Sequence, residues 1–378
     1  MTQPQRILIV NPFGIGDVLF TTPLIRALRA AFPNSYVAYL CNRRTEGILQ
    51  HNPHLDAIFV YERDEIVALW RRAKWQGLRH VGQLLGRARQ KRFDLVIDLS
   101  LGERYSFLLT VLGVRRRIGF NYRNRGRFLT EALAIDGYHE DHVVEYYRRF
   151  LHFLGIRLRD GRLEVRLSEE DRVWAQAWAQ ARRQGGAKVL VGMVPAGGVS
   201  WGIDAPFRRW GAEGFAAVGN ALVERLNASV VLFGEASDAP VCRTVSRVMR
   251  YPVLDLSGQT SVGRFVGLLS QMDLVICNDG GPLHLAVTQG VRTVSVFGPV
   301  DPAVYGPYPP DALRHAVIIQ EELPCRPCYH QFKLPPCPYE RACLTTISPT
   351  NVIDASIALL NGMEVSATAS SIIHAASS

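Results

Sequence analysis

The chain has 378 residues, 48% hydrophobic and 20% charged, with a formal net charge of +9. That length suits two domains of ordinary size rather than a single core, and the composition argues against a disordered chain. No apolar run reaches the roughly 18 residues of a membrane-spanning helix, so none is expected.

The amino terminus, MTQPQRILIV, enters a strand pattern almost at once and shows no basic region or cleavage site. No signal peptide is expected, and a cytoplasmic location is the default. Ile7–Val10 reads as a buried parallel strand. It ends in the glycine-rich turn NPFGIGD, and VLFTTPLIRALRAAF follows at helical spacing up to Pro33. Pro23 either kinks this helix or sits in a first turn. Tyr36–Leu40, Ile58–Tyr61 and Phe93–Leu99 read as further strands. Strands alternating with helical patterns predict βαβ units and a parallel sheet.

The pattern restarts after the middle of the chain. Ser168–Gln184 reads as a helix, ended by Gly185–Gly186. Strands follow at Lys188–Val194, Ser229–Gly234, Asp273–Cys277 and Thr293–Phe297, with helices at Gly211–Leu226, Ser261–Gln271 and Leu283–Gln289. The expected fold class is α/β, with two doubly wound parallel-sheet domains facing a cleft. Boundaries are placed at 1–170 and 171–362, with the last helix able to pack back on the first domain. Residues 363–378 are small and polar and read as a disordered tail.

Charge is uneven. Residues 1–150 hold 23 Lys and Arg against 14 Asp and Glu, and the remainder holds 20 of each. The clusters are Arg71, Arg72 and Lys74; Arg87, Arg89, Lys91 and Arg92; Arg115–Arg117; and Arg123, Arg125 and Arg127. They suit an anionic partner, such as phospholipid headgroups, a phosphorylated glycan or nucleic acid. A solvated basic surface is the competing reading of each.

Four motifs can carry chemistry. In the first, Gly14 and Gly16 precede Asp17, but Leu19 stands where a dinucleotide fingerprint needs its third glycine. Asp17, at a helix start, is either a cap or an ionised general base, and spacing alone favours the cap. In the second, Asn278-Asp279-Gly280-Gly281 leads from a strand into a helix that bears His284. Glycine backbone and helix start suit a pyrophosphate, with His284 able to donate to a phosphate oxygen. The third is Arg208-Arg209-Trp210, where a cation could offset charge on a leaving group.

The fourth is Cys325, Cys328, Cys337 and Cys343, interleaved with prolines. Four thiolates could bind a structural zinc or iron, or remain free thiols. Cys41, Cys242 and Cys277 read as buried thiols.

Taken together, these segments resemble glycosyltransferase family 9, the heptosyltransferases of lipopolysaccharide core assembly. The matching stretches are ILIVNPFGIGDVLFTTPLIRALRAAFP and DLVICNDGGPLHLAVTQGVRTVSVFGPVDPAVYGP. VGMVPAGG, RRWGAEGFAAVGNAL and the late CRPC, CL and ISPTNV also fit. The resemblance runs to about residue 360. It implies a GT-B fold of two Rossmann-like domains, an acceptor domain followed by a donor domain. It also implies inversion at the anomeric carbon with no cofactor required for catalysis.

By the same resemblance, Asp17 is the base and Gly14 and Gly16 form the acceptor-side turn. Asp279, Gly281 and His284 hold the donor diphosphate, with Gly280 where the family has threonine. Arg208 takes the place of a lysine and Gly211 that of a proline. Asp238 stands near the ribose and Thr260 near the nucleobase. The implied partners are a nucleotide-diphosphate sugar, ADP-heptose first, and an anionic lipopolysaccharide core acceptor at the inner leaflet of the inner membrane. Nucleic acid is not expected. Another nucleotide sugar, a protein acceptor, or a non-catalytic nucleotide-sugar-binding protein are the alternatives.

Overall fold

The first sheet starts where ILIV predicts it. In the computed structural model, which describes residues 3–62, 82, 86, 89–197, 202–320, 323–365 and 372–373, β1 (Arg6–Val10) is buried along all but its first residue. Chain contacts define two compact units. One comprises 1–137 and 144–161, the other 138–143 and 162–378. The break falls before the predicted 170/171. Leu163 is already buried, and the Val165 carbonyl accepts from Gln289 Nε2 of the second unit at 3.4 Å.

In the first unit the order after β1 is α1 (Ile15–Phe20), α2 (Thr22–Ala31), β2 (Tyr36–Cys41), α3 (Arg43–Leu49), β3 (Ala57–Val60), β4 (Leu95–Asp98), α4 (Glu103–Val111), β5 (Arg116–Tyr122), β6 (Glu131–Ile135) and α5 (Val143–Phe153). The sheet order is β3-β2-β1-β4-β5-β6, and every pairing is parallel. The predicted single helix is two. Pro23 lies at the start of α2, where its missing N–H costs nothing. Thr21 joins the two helices and binds the Tyr39 hydroxyl at 2.9 Å.

The sequence did not expose β5, because arginines open it. Arg116 pairs with Glu131 of β6 at 2.6 Å. Arg117 donates to the Phe128 carbonyl, also at 2.6 Å. Two members of a predicted anionic-partner cluster are therefore spent on the fold. Arg71, Arg72, Lys74 and Arg87 of the other clusters lie outside the described residues.

The second unit runs α6 (Glu169–Gln184), β7 (Val189–Val194), a 3-10 helix (Gly202–Arg208), α7 (Ala212–Leu226), β8 (Ala228–Leu232), α8 (Ala239–Val248), β9 (Leu254–Asp255), α9 (Val262–Leu269), β10 (Leu274–Asn278), α10 (Gly281–Thr288), β11 (Arg292–Val296), α11 (Pro302–Tyr305), β12 (His315–Ile318), α12 (Ala342–Thr345), α13 (Pro349–Leu360) and β13 (Ile372–Ile373). Its sheet order is β13-β12-β11-β10-β7-β8-β9. All pairs are parallel except the last edge, β12 with β13. Ile372–Ile373 therefore continues the sheet within the segment read as a disordered tail, two β-branched residues covering an open strand edge.

Side-chain caps fix several helix starts. Ser168 accepts from Asp171 N–H at 3.0 Å and Ser261 from Arg264 N–H at 3.2 Å, each satisfying an orphan donor. The last helix, α13, stays with the second unit. Its Val352, Ala355 and Leu359 lie in the same core as Val191, Leu232, Ile276 and Val294. Among the described residues no helix is long and apolar enough to cross a membrane.

Candidate active site

In each sheet the strand order reverses once, between β1 and β4 and between β7 and β10. Ligands of open parallel sheets bind at such reversals, beyond the carboxyl ends of the strands. The chemical motifs sit at both.

At the first reversal the chain leaves β1 through a pinned turn. Buried Asn11 accepts from Phe13 N–H at 3.1 Å and donates to the Asp17 carbonyl at 3.1 Å. Asn42 Nδ2 donates to the carbonyls of Pro12 at 3.1 Å and Phe13 at 2.6 Å. Asp17 is the third residue of α1, half-buried, and its Oδ2 accepts from Gly14 N–H at 3.2 Å. Gly14 is extended, with φ −78°, and Gly16 lies inside the first turn of α1. The carboxylate thus caps its helix.

Beside this turn, Asp98 ends β4 and pairs in register with Val10. The sequence reading passed over it, although an acid closing an apolar strand was the available signal. Asp98 Oδ1 accepts from Ser100 N–H at 3.0 Å. Its Oδ2 is buried without a hydrogen-bond partner, and burial pushes the carboxyl up to about 6.

At the second reversal the turn after β10 is held from both sides. Asn278 Nδ2 donates to the Pro195 carbonyl at 2.6 Å and Asn278 Oδ1 accepts from Trp210 N–H at 2.9 Å. Arg208, the last residue of the 3-10 helix, forms an ion pair with Asp279. Burial raises the Asp279 carboxyl against the pull of that guanidinium. Gly280 has φ 149° and ψ −173°, a region open essentially to glycine alone. A Cβ there would lie 3.3 Å from the Gly197 carbonyl. Gly281 opens α10 and its N–H has no carbonyl one turn back to meet, which suits an anion; Pro282 has no N–H, and the Leu283 N–H donates to the Gly280 carbonyl at 3.1 Å.

His284 lies one turn into α10, 2% exposed. Burial, with the charges of His142 and Arg208, lowers it to about 3, so its imidazole is neutral. His142 was missed by sequence reasoning, although the HEDH run that holds it was visible. It is stacked on Tyr308 with centroids 4.5 Å apart, its Nε2 lies 3.1 Å from the Gly306 carbonyl, and burial lowers it to about 4.

Asp238 belongs to the same framework through Arg209. Arg209 lies 3.6 Å from the Asp238 carboxylate and donates to the Ala196 carbonyl at 2.7 Å. Asp238 is 1% exposed and accepts from Glu235 N–H at 3.1 Å. Thr260 stands apart, half-buried before the cap residue Ser261. Among the described residues no hydrogen bond or ion pair links it to Arg208 or Asp279.

The expected metal centre is corrected. Among the described residues no group of three or more His, Cys, Asp or Glu side chains is placed to hold a metal ion, and Cys325, Cys328, Cys337 and Cys343 are free thiols. Their surroundings differ. Cys343 is buried in the second core beside Leu344, and burial pushes it up to about 11. Cys337 is exposed and its sulfur accepts from Arg341 N–H at 3.3 Å. Burial and neighbouring thiols raise Cys328.

Two Rossmann-like units, one with a carboxylate at its switch point and the other with a glycine-rich turn into a helix at its own, define a glycosyltransferase of the GT-B type. The sequence model described as "Glycosyltransferase family 9 (heptosyltransferase)" matches residues 81–336, and the chain belongs to that family. The lipopolysaccharide core heptosyltransferase OpsX of Haemophilus influenzae is 20% identical over 323 residues, 84% of this chain and 86% of the relative. The glycosyl transferase family 9 structure from Veillonella parvula DSM 2008 superposes with a TM-score of 0.73 at 26% identity, covering 94% of this chain and 97% of that one. E. coli ADP-heptose lps heptosyltransferase II gives 0.71 at 20% identity, covering 94% and 98%.

Proposed function

We propose that the protein transfers heptose from ADP-heptose to a sugar of a lipopolysaccharide core acceptor, with inversion, at the cytoplasmic face of the inner membrane. The observation that carries this reading is the turn Asn278–Gly281, with Arg208 on Asp279 and neutral His284 one helical turn on. The donor and acceptor classes come from the relatives, which are lipopolysaccharide and lipooligosaccharide heptosyltransferases.

In this mechanism Asp17 removes the proton of an acceptor hydroxyl, and that oxygen attacks the anomeric carbon as the nucleotide diphosphate departs. Arg208, the Gly281 amide and an N–H of His284 receive the charge that develops on the leaving diphosphate. Fixed donors of this kind usually supply the largest single share of catalysis. Asp238 and Thr260 take the ribose and base sides of the donor.

The test is a thermal-shift panel of nucleotide diphosphates, followed by turnover with ADP-heptose. ADP at a hundred times its Kd stabilises by about 2.7 kcal/mol, and UDP and GDP at equal concentration shift the melt far less. Protection by UDP with none by ADP would sink the heptose reading.

A further inference from the structure

A surface helix of a water-soluble unit normally turns polar residues outward. Helix α4 does not. Its inner side is Ser106 and Leu109, both buried, while its outer side carries Phe107 at 47% and Val111 at 69% exposure. Arg104, Phe107 and Val111 follow one another at i, i+3 and i+7, one face of the helix. The ring of Phe107 meets Phe128 of the β5–β6 turn edge-on, with centroids 5.1 Å apart. The apolar surface thus extends from the helix onto that turn.

Two cations lie beside this surface, Arg104 on the same helix face and Arg127 over Phe128, and further exposed arginines follow in the chain. Arg104, Arg115, Arg123, Arg125 and Arg127 are all exposed. The Arg127 guanidinium lies 4.8 Å from the Phe128 ring centre. It also pairs at 2.7 Å with Glu103, which is turned further inward. Arg115 is exposed although its neighbours Arg116 and Arg117 are consumed by the fold. Exposed apolar side chains with cationic neighbours suit an interface with an anionic surface.

We propose that the outer face of α4, Phe107 and Val111 with Arg104 beside them and Arg127 over Phe128, docks on the surface of an anionic phospholipid bilayer. Two short apolar side chains reach only into the headgroup boundary, while arginine stems lie along it with their charges on lipid phosphates. A second copy of the chain is the poorer occupant, because a two-fold contact through this face sets arginines against arginines. The docking needs neither donor nor acceptor, so its failure leaves the transfer reading intact.

Co-sedimentation of the full chain with phosphatidylethanolamine vesicles containing phosphatidylglycerol, free of any glycolipid, tests this. Binding rises with the phosphatidylglycerol fraction, is absent on phosphatidylcholine and weakens in high salt. The double variant Phe107→Asp/Val111→Asp partitions at least about tenfold less, since burying each apolar side chain in the boundary region is lost. Arg104→Gln/Arg115→Gln loses about fivefold for each arginine neutralised. The arginine variant leaves the melting temperature unchanged, because both side chains are exposed; the aspartate variant, which gives up the Phe107–Phe128 ring contact, is compared at a temperature where its circular dichroism shows it folded. Undiminished binding of the aspartate variant, or no binding of the wild type to phosphatidylglycerol, overturns the proposal. So does a wild-type dimer that the aspartate variant makes monomeric.

Discussion

Arg208 and Asp279 form a buried ion pair across 71 positions of sequence, joining the end of the 3-10 helix to the end of β10. Arg209, the next residue, holds Asp238 and the carbonyl of Ala196. Two consecutive arginines therefore fasten the carboxyl ends of three strands, β7, β8 and β10, around the reversal of the sheet. Arg208→Ala leaves the Asp279 carboxylate buried and unpaired, and breaking such pairs costs about 3–5 kcal/mol. Urea unfolding measures that loss, and calorimetry with ADP measures the accompanying loss of diphosphate affinity. A stable variant with full ADP affinity would remove Arg208 from the site.

Gly280 carries a second prediction. With φ 149° and a Cβ position 3.3 Å from the Gly197 carbonyl, any side chain there is strained. Gly280→Ala is expected to cost about 1–3 kcal/mol and to weaken nucleotide binding by displacing the amides of the turn. Gly280→Thr, which supplies the hydroxyl usual in the family, is expected to be no better. A threonine variant as stable as the wild type, and tighter on ADP, would show that the turn relaxes freely.

Asp17 is tested by Asp17→Asn. The amide still accepts from Gly14 N–H, so the helix start is kept and stability changes by less than about 1 kcal/mol. Loss of the base lowers turnover by about 100- to 10,000-fold and leaves donor affinity as it was. Single-turnover kinetics with ADP-heptose separate the two effects, and an unchanged rate would reassign the base.

The sequence made these turns legible because each lies where a continuous apolar run stops at Gly and Asp, and such runs admit few structures. NPFGIGD and CNDGGPLH needed no tertiary information to be placed beyond strand ends. The rest depended on contacts between distant residues. Arg115–Arg117 reads as surface charge until Glu131 and the Phe128 carbonyl are beside it. His142 lies in a polar run, and only packing against Tyr308 and Gly306 makes it part of the second unit. The spacing of the four cysteines suggested metal, but spacing does not reveal that Cys343 turns into a core while Cys337 stays in solvent.

Asp98 gives a stability prediction with a definite sign. Its carboxyl is raised to about 6 in the folded chain, so the folded state holds its proton more tightly than the unfolded one. Its ionisation lowers stability as pH rises from about 4 through 6. Asp98→Asn keeps the acceptor for Ser100 and removes the buried charge. At pH 8 the variant is expected to be about 1–3 kcal/mol more stable than the wild type, and at pH 4 the difference vanishes. A variant destabilised equally at both values would mean that Asp98 is retained for packing rather than titration.

The histidines act in the opposite direction. His142 and His315 are lowered to about 4 and His284 to about 3. Below about 6.5 the unfolded chain takes up protons that the folded chain refuses, so stability falls with pH. Asp98 and Asp279, both raised, offset part of this. Three histidines stand against two carboxyls, so the net slope still runs toward lower stability as pH falls, and each proton of imbalance is worth about 1.4 kcal/mol for each pH unit. Urea midpoints measured across that range give the slope. His142→Asn removes one of these groups and flattens the slope by about one proton. A diphosphate beside His284 favours its charged form, so saturating ADP is expected to shift the acid limb to lower pH. An acid limb that ADP leaves in place would separate His284 from the phosphate site.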